Sequence, residues 1–484
     1  MKRTLTLILA SLLVLSACGS DMPEAVETTK MGEGDTTAAD TEEDAQPAPE
    51  LPPLDMGGET VTILTHSWGT YEPLNIIDIT AEEENGEPLN DATYRRMLAV
   101  GEKYNCVIEE LNANNADQLL QTTVTAGDDA YAFAIIRSNK LTSLMTGGYL
   151  TDISEIPHLN PDAPYYDQGS RSAFAIGGSE YGLTGDLTMN LYYTTFCAYF
   201  NKQLMEDYKL GSIYDTIRDG GWTIDEMFRL GKNTAVDLDN NGISDNQDSY
   251  AFTYIYDDLE GLLNAGGFRY AELNRAGEIQ IAYETETAMD MLLRLFDLLS
   301  DEAVSFNVHT RSPQANIDEV GMFMNRQAMF SLAGIYYAPQ FRDMKDDFGI
   351  IPFPKFDEKQ KEYLTPMFSV CIPITVVPRS NADLDAAGIL IEEMSYLGRK
   401  DLYPAVFDTL LKGKIARDDD SIEMLDIIFG NTFYDPGLIF NFGDVGTGLR
   451  QMFFSKKDNG FASYFESVRT VVQGEIDALM EAIK

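Results

Sequence analysis

Residues 237–248, DLDNNGISDNQD, set oxygen-bearing side chains at the intervals that wrap a backbone around a hard cation. Asp237, Asp239 and Asn241 take positions 1, 3 and 5 of a twelve-residue calcium loop; Gly242 makes its turn, Ile243 offers a carbonyl, and Asp245 and Asp248 fill positions 9 and 12. Two departures separate the stretch from a calcium sensor. Position 12 is Asp rather than the longer bidentate Glu, and the next residues, SYAFTYIY, alternate as a strand does and form no exit helix. Calcium is therefore expected as a structural staple, with an empty Asx-rich turn as the alternative.

Catalytic constellations are scarce. His66, His158 and His309 are the only histidines; none has metal-ligand spacing or a nucleophile motif beside it, and no phosphate-cradling loop occurs. A carboxylate pair for glycoside hydrolysis would find many candidates among 78 Asp and Glu, but against 35 Lys and Arg these are explained as surface charge. With no catalytic set evident no enzyme is expected, and the formal net charge of −43 repels nucleic acid and anionic lipid, so nucleic-acid binding is set aside.

The chain opens with MKRTLTLILASLLVLSACGS, two basic residues and then an apolar run too short to span a bilayer, which reads as an export signal over residues 1–17. Leu15, Ser16, Ala17 and Cys18 resemble a bacterial lipobox, so Cys18 is expected to carry lipid and residues 18–57 to form a flexible acidic linker. The expected location is the extracellular face of the cytoplasmic membrane, held by lipid alone. Cys106, Cys197 and Cys371 lie far apart in apolar contexts and are expected as buried thiols.

The elements that position such residues read as strand and helix in alternation. ETVTILTHSW is a strand, NDATYRRMLAVGEKYN a helix, CVIEEL a second strand, ADQLLQTTVTAG a helix and YAFAIIR a third strand, which argues an α/β lobe with a mainly parallel sheet. A second section repeats the pattern from YTTFCAYFNKQLMEDY onward, with Thr223 capping a helix that has Glu226 three residues on. At 484 residues two lobes are expected.

Taken together, the strand ending in YFNK, the Trp222–Thr223 pair, the Asp-rich loop, GGYLTDIS at 147–154 and AMFSLAGIYYAPQFRDMKDDFGIIPFP resemble the bacterial extracellular solute-binding proteins of family 1, lipoproteins that feed ABC importers. The resemblance implies a two-lobed, periplasmic-binding-protein-like Venus flytrap of type II with discontinuous lobes, residues 58–183 plus 372–428 and residues 184–371 plus 429–484. It implies a monomer that holds a carbohydrate, an oligosaccharide by expectation, between the lobes and hands it to an ABC permease. A secreted glycoside-acting enzyme and a calcium-stabilised adhesin or peptide-binding lipoprotein are the alternatives.

Cleft residues follow by position. Trp68 and Tyr71 come after the first strand, where a loop opens at the carboxyl edge of the sheet, and their rings suit the C–H faces of a sugar. Arg137 and Asn139 end AIIRSN, and Asp186 stands in TGDLTM beside the first passage between lobes. Tyr336 and Tyr337 occupy the loop where sugar-binding relatives carry stacking aromatics, and Tyr434 sits near the last passage. Trp222 is expected to pack at a helix start.

Overall fold

Two mixed sheets organise the chain, and each is built from strands that are distant in sequence. The computed structural model describes residues 47–67, 74–76, 78–311, 319–411 and 419–483. The first sheet has the order β12-β3-β1-β2, from β1 (Glu59–His66), β2 (Cys106–Ala113), β3 (Phe133–Arg137) and β12 (Pro373–Val376). β1 pairs parallel with both β2 and β3, while β12 runs antiparallel to β3 with Ile374 opposite Ile136. The second sheet has the order β10-β4-β9-β5-β8, from β4 (Phe196–Asn201), β5 (Tyr250–Tyr254), β8 (Ser305–Asn307), β9 (Ala328–Gly334) and β10 (Phe348–Ile351). A hairpin of β6 (Ala271–Leu273) and β7 (Ile279–Ile281) and a parallel pair of β11 (Thr365–Pro366) with β13 (Thr432–Phe433) complete the strands.

The central strands form where the sequence is apolar on both faces, whereas the edge strand β2 alternates buried and exposed residues. Ile135, Ile136 and Phe133 of β3 are buried, as are all seven residues of β9, because helices cover both sides. The helix Pro88–Tyr104 starts with Pro at its first position, where the missing N–H costs nothing, and ends at Asn105 in the left-handed conformation. It presents Leu89, Ala92, Val100 and Tyr104 inward, the spacing of a single helical face.

The chain passes from the first sheet to the second between residues 137 and 196 and returns between 351 and 373. Both passages are pinned. Thr195 bridges Met367, and the Phe368 N–H donates to the Thr194 carbonyl at 3.0 Å. β11 and β13 lie alongside, so residues 432–433 join the same strip.

Smaller expectations fare as follows. Thr223 caps the helix Ile224–Gly231, its Oγ1 accepting from the Glu226 N–H at 3.2 Å. Trp222 is fully buried, its indole N–H donating to the Pro352 carbonyl at 2.9 Å. Cys106, Cys197 and Cys371 are free and buried. No helix among the described residues is long and apolar enough to cross a membrane. Cys18 and the export signal lie outside the described residues.

Candidate functional site

The carboxyl ends of β1, β2 and β3 point the same way, and a cavity of about 790 Å³ opens there. Such an edge collects loop residues and backbone ends without disturbing the sheet beneath. Its wall mixes polar and apolar groups: Thr65 and His66 end β1, Glu110 and Asn112 lie near the end of β2, Arg137 ends β3, and residues 74–76, 78–83, 85 and 90 close one side.

These side chains hold one another in place. Glu110 accepts from the Thr65 hydroxyl at 2.5 Å through Oε1 and from the Thr80 hydroxyl at 3.0 Å through Oε2, and the Asn112 amide donates to Thr65 Oγ1 at 2.9 Å. Thr65 and Asn112 are direct partners in the parallel register, so their side chains leave the same face. Asp78 is buried, and its Oδ2 accepts from the Thr188 hydroxyl at 2.6 Å and the Asn190 N–H at 3.2 Å. Burial pushes its carboxyl up to about 6. Behind it the buried Arg96 donates to the Asp78, Leu187 and Met394 carbonyls, stitching the cavity wall, the first passage and the helix Leu384–Leu397 together.

Arg137 faces the second passage, with Nε 3.3 Å from the Val370 carbonyl and Nη2 3.5 Å from the Cys371 sulfur. Burial pushes the Cys371 thiol up to about 12, with Arg137 pulling the other way and Asp257 adding to the rise. Asp257 belongs to the helix Tyr256–Ala265 that follows β5. Asp257 pairs with Arg450 at 2.8 Å, and the Tyr256 ring lies 4.9 Å from His309 and 5.4 Å from Phe454. A second cavity of about 360 Å³ is lined by Tyr256, Asp257, Thr447, Arg450, Gln451 and Ser455. Burial, reinforced by Arg137, lowers the His66 imidazole to about 4.

Of the residues expected from sequence at the cleft, the structure brings Arg137 to the main cavity. Trp68 and Tyr71 lie outside the described residues. Asn139 is exposed on the turn after β3 and does not line the cavity. Asp186 is buried at the first passage instead, paired with Arg399 at 2.6 Å and accepting from the Tyr192 hydroxyl. Tyr336 and Tyr337 are packed in a buried apolar cluster with Phe341, just after β9, and the Tyr337 hydroxyl donates to Glu319 at 2.7 Å. Tyr434 is buried too, donating to Asp167 Oδ2 at 2.8 Å. Each of these three tyrosines satisfies its ring with apolar neighbours, which is why a loop position did not make it a platform.

Residues that sequence reasoning missed are Asp78, Thr80, Glu110, Asn112, Thr188 and Asn190. Signals existed for two of them: Asp78 interrupts the apolar IIDIT, and Glu110 is a charged residue near the carboxyl end of a strand. Tyr256 and Asp257 follow β5 as Trp68 follows β1, and the same rule applied to the second sheet points at them.

In the calcium loop, carboxylate oxygens of Asp237, Asp239 and Asp248 come within 4.8 Å of one another. Gly242, at φ +75°, donates its N–H to Asp237 Oδ2 at 2.9 Å, and Asp248 accepts from the Leu238 and Asp245 N–H groups. Asn241 accepts from the Ile243 N–H at 2.5 Å, and Asp245 from the Gln247 N–H at 2.8 Å. The donor set is all oxygen, the chemistry a hard cation takes.

No family model matches the chain, and no curated protein matches it. Solved structures do. An ABC substrate-binding protein from Listeria monocytogenes in complex with cycloalternan superposes with a TM-score of 0.53 over 88% of this chain and 99% of that one, at 11% identity. The galacto-N-biose-/lacto-N-biose I-binding protein of an ABC transporter from Bifidobacterium longum gives 0.53 over 86% and 98%, at 14% identity. A sugar transporter from Rhizobium etli in an open conformation gives 0.54 over 88% and 98%, at 15% identity. At such identities the likeness carries the fold, and the fold is the two-lobed α/β architecture of the periplasmic-binding-protein-like type.

Proposed function

We propose that the chain is the substrate-binding protein of an ABC importer and that it holds a carbohydrate, an oligosaccharide in the first instance, between its two sheets. The observation that carries this is the cavity at the carboxyl ends of β1, β2 and β3, whose wall is tied to both passages between the sheets through Asp78 and Arg137. A solute seated there touches the parts that move when the lobes close, so it favours the closed state by contacts available only in that state. Hydrogen-bonding side chains on a wall of this size suit hydroxyls. Solved structures of the same fold are sugar-binding proteins by their own descriptions, which supports the class of solute.

Turnover is no part of this reading. Glu110 and Asp78 each already accept two hydrogen bonds, the arrangement of fixed acceptors rather than of an acid and a base exchanging protons. The reading includes lobes divided as residues 58–183 plus 372–428 and 184–371 plus 429–484, a lipid anchor at Cys18 on the outer face of the membrane, a monomer, and delivery to a permease. It also includes calcium at Asp237, Asp239, Asn241, Ile243, Asp245 and Asp248 as a staple distant from the solute.

A thermal-shift screen tests the solute class, because a ligand that binds only the folded form raises the melting temperature. Oligosaccharides are expected to raise it. A shift with peptides and none with any sugar would overturn the reading.

A further inference from the structure

We infer that the preferred solute of the main cavity is a saccharide bearing a protonated amine, from the excess of carboxylates over cations on the cavity wall. This rests on the saccharide reading above and narrows it. Asp78, Glu82, Glu83 and Glu110 line the cavity, whereas Arg137 is the only lysine or arginine on its wall among the described residues.

The four carboxylates are not equivalent. Asp78 is buried and spends Oδ2 on the Thr188 hydroxyl and the Asn190 N–H, while Arg96 binds its backbone carbonyl, so little of its carboxylate is left for a solute. Glu110 uses two of its acceptor positions on Thr65 and Thr80, and a carboxylate offers about four. Glu82 and Glu83 are exposed on the rim and form no ion pair among the described residues. Their neighbour Glu84 does, with Arg95 at 2.7 Å. The rim therefore turns its one neutralised acid elsewhere and leaves two beside the cavity.

Cations do not offset this. Arg137 spends Nε on the Val370 carbonyl and Nη2 on the Cys371 sulfur, both in the second passage. His66 is uncharged at neutral pH. A concave site concentrates the field of such groups, which a solvated outer surface disperses. An anionic sugar is repelled, a neutral one makes hydrogen bonds only, and an ammonium group gains attraction as well.

The full chain is titrated by calorimetry with a β-1,4-linked glucosamine trisaccharide, its N-acetylated counterpart and maltotriose, at low and high salt. The amine form is expected to bind at least about tenfold more tightly than either neutral form, with the advantage shrinking as salt rises. The double variant Glu82→Gln/Glu83→Gln, at exposed positions, is expected to lower the amine-to-neutral ratio. Equal affinity for all three, or an advantage indifferent to salt and to the double variant, would overturn the charge inference and leave the saccharide reading standing. Binding of none of them together with binding of peptides would overturn both.

Discussion

Asp78 holds the cavity wall to the first passage through Thr188 and Asn190, and Arg137 holds the end of β3 against the second. His66 lies on the same wall. Its imidazole is lowered to about 4 from an ordinary 6.5, so between those values the unfolded chain binds the proton and the folded one does not. Stability supplied by neutral His66 is whole above about pH 6.5 and is lost as pH falls toward 4. His66→Gln is expected to flatten that part of the melting-temperature profile, and an unchanged slope would remove His66 as its source. Arg137 was visible in the sequence because a charged residue closing an apolar strand has few places to go but the sheet edge. Asp186 was not read correctly from its place beside a passage, since nothing local announces Arg399, more than two hundred residues later, as its partner.

Secondary structure was the most legible level. Thr223 with Glu226, and Gly242 inside the Asp-rich loop, are choices made within a few residues, and the structure bears both out as a cap and a left-handed turn. Thr223→Ala is expected to cost about 1 kcal/mol of stability and leave solute affinity unchanged, as measured by denaturant unfolding and calorimetry. The Asp-rich loop precedes β5 directly, and Asp248 is buried at that junction. Chelation of divalent ions is expected to lower the melting temperature by several degrees, with calcium restoring it. Lost affinity at an unchanged melting temperature would contradict the staple. That Tyr336 and Tyr337 turn inward was illegible, because Tyr336 packs on Tyr337 and Tyr337 on Phe341, and only the folded cluster decides which way the rings face.

The whole molecule joins two sheets through passages that hydrogen-bond to each other, Phe368 to Thr194 and β11 beside β13. Paired strips of this kind bend as a unit, so solute binding is expected to bring the lobes together as rigid bodies. Small-angle scattering of the full chain should show a smaller radius of gyration with a saccharide ligand than without, and an unchanged radius with saturating ligand would exclude closure. Two sheets were legible from chain length and from the repeated alternation of strand and helix. Their joining was not, since Thr194 and Thr195 meet Met367 and Phe368, partners more than 170 residues away in the chain.

β12 is the last strand of the first sheet to leave the ribosome, though it pairs with β3, which is made far earlier. A fragment ending anywhere short of residue 373 exposes the rim of β3, a row of unsatisfied amides and carbonyls ready to recruit a foreign strand. Maturation of the amino-terminal half is thus hostage to the carboxyl-terminal half. Truncated products should clump where the intact polypeptide stays dispersed, and slow, non-local closure should dominate its refolding time.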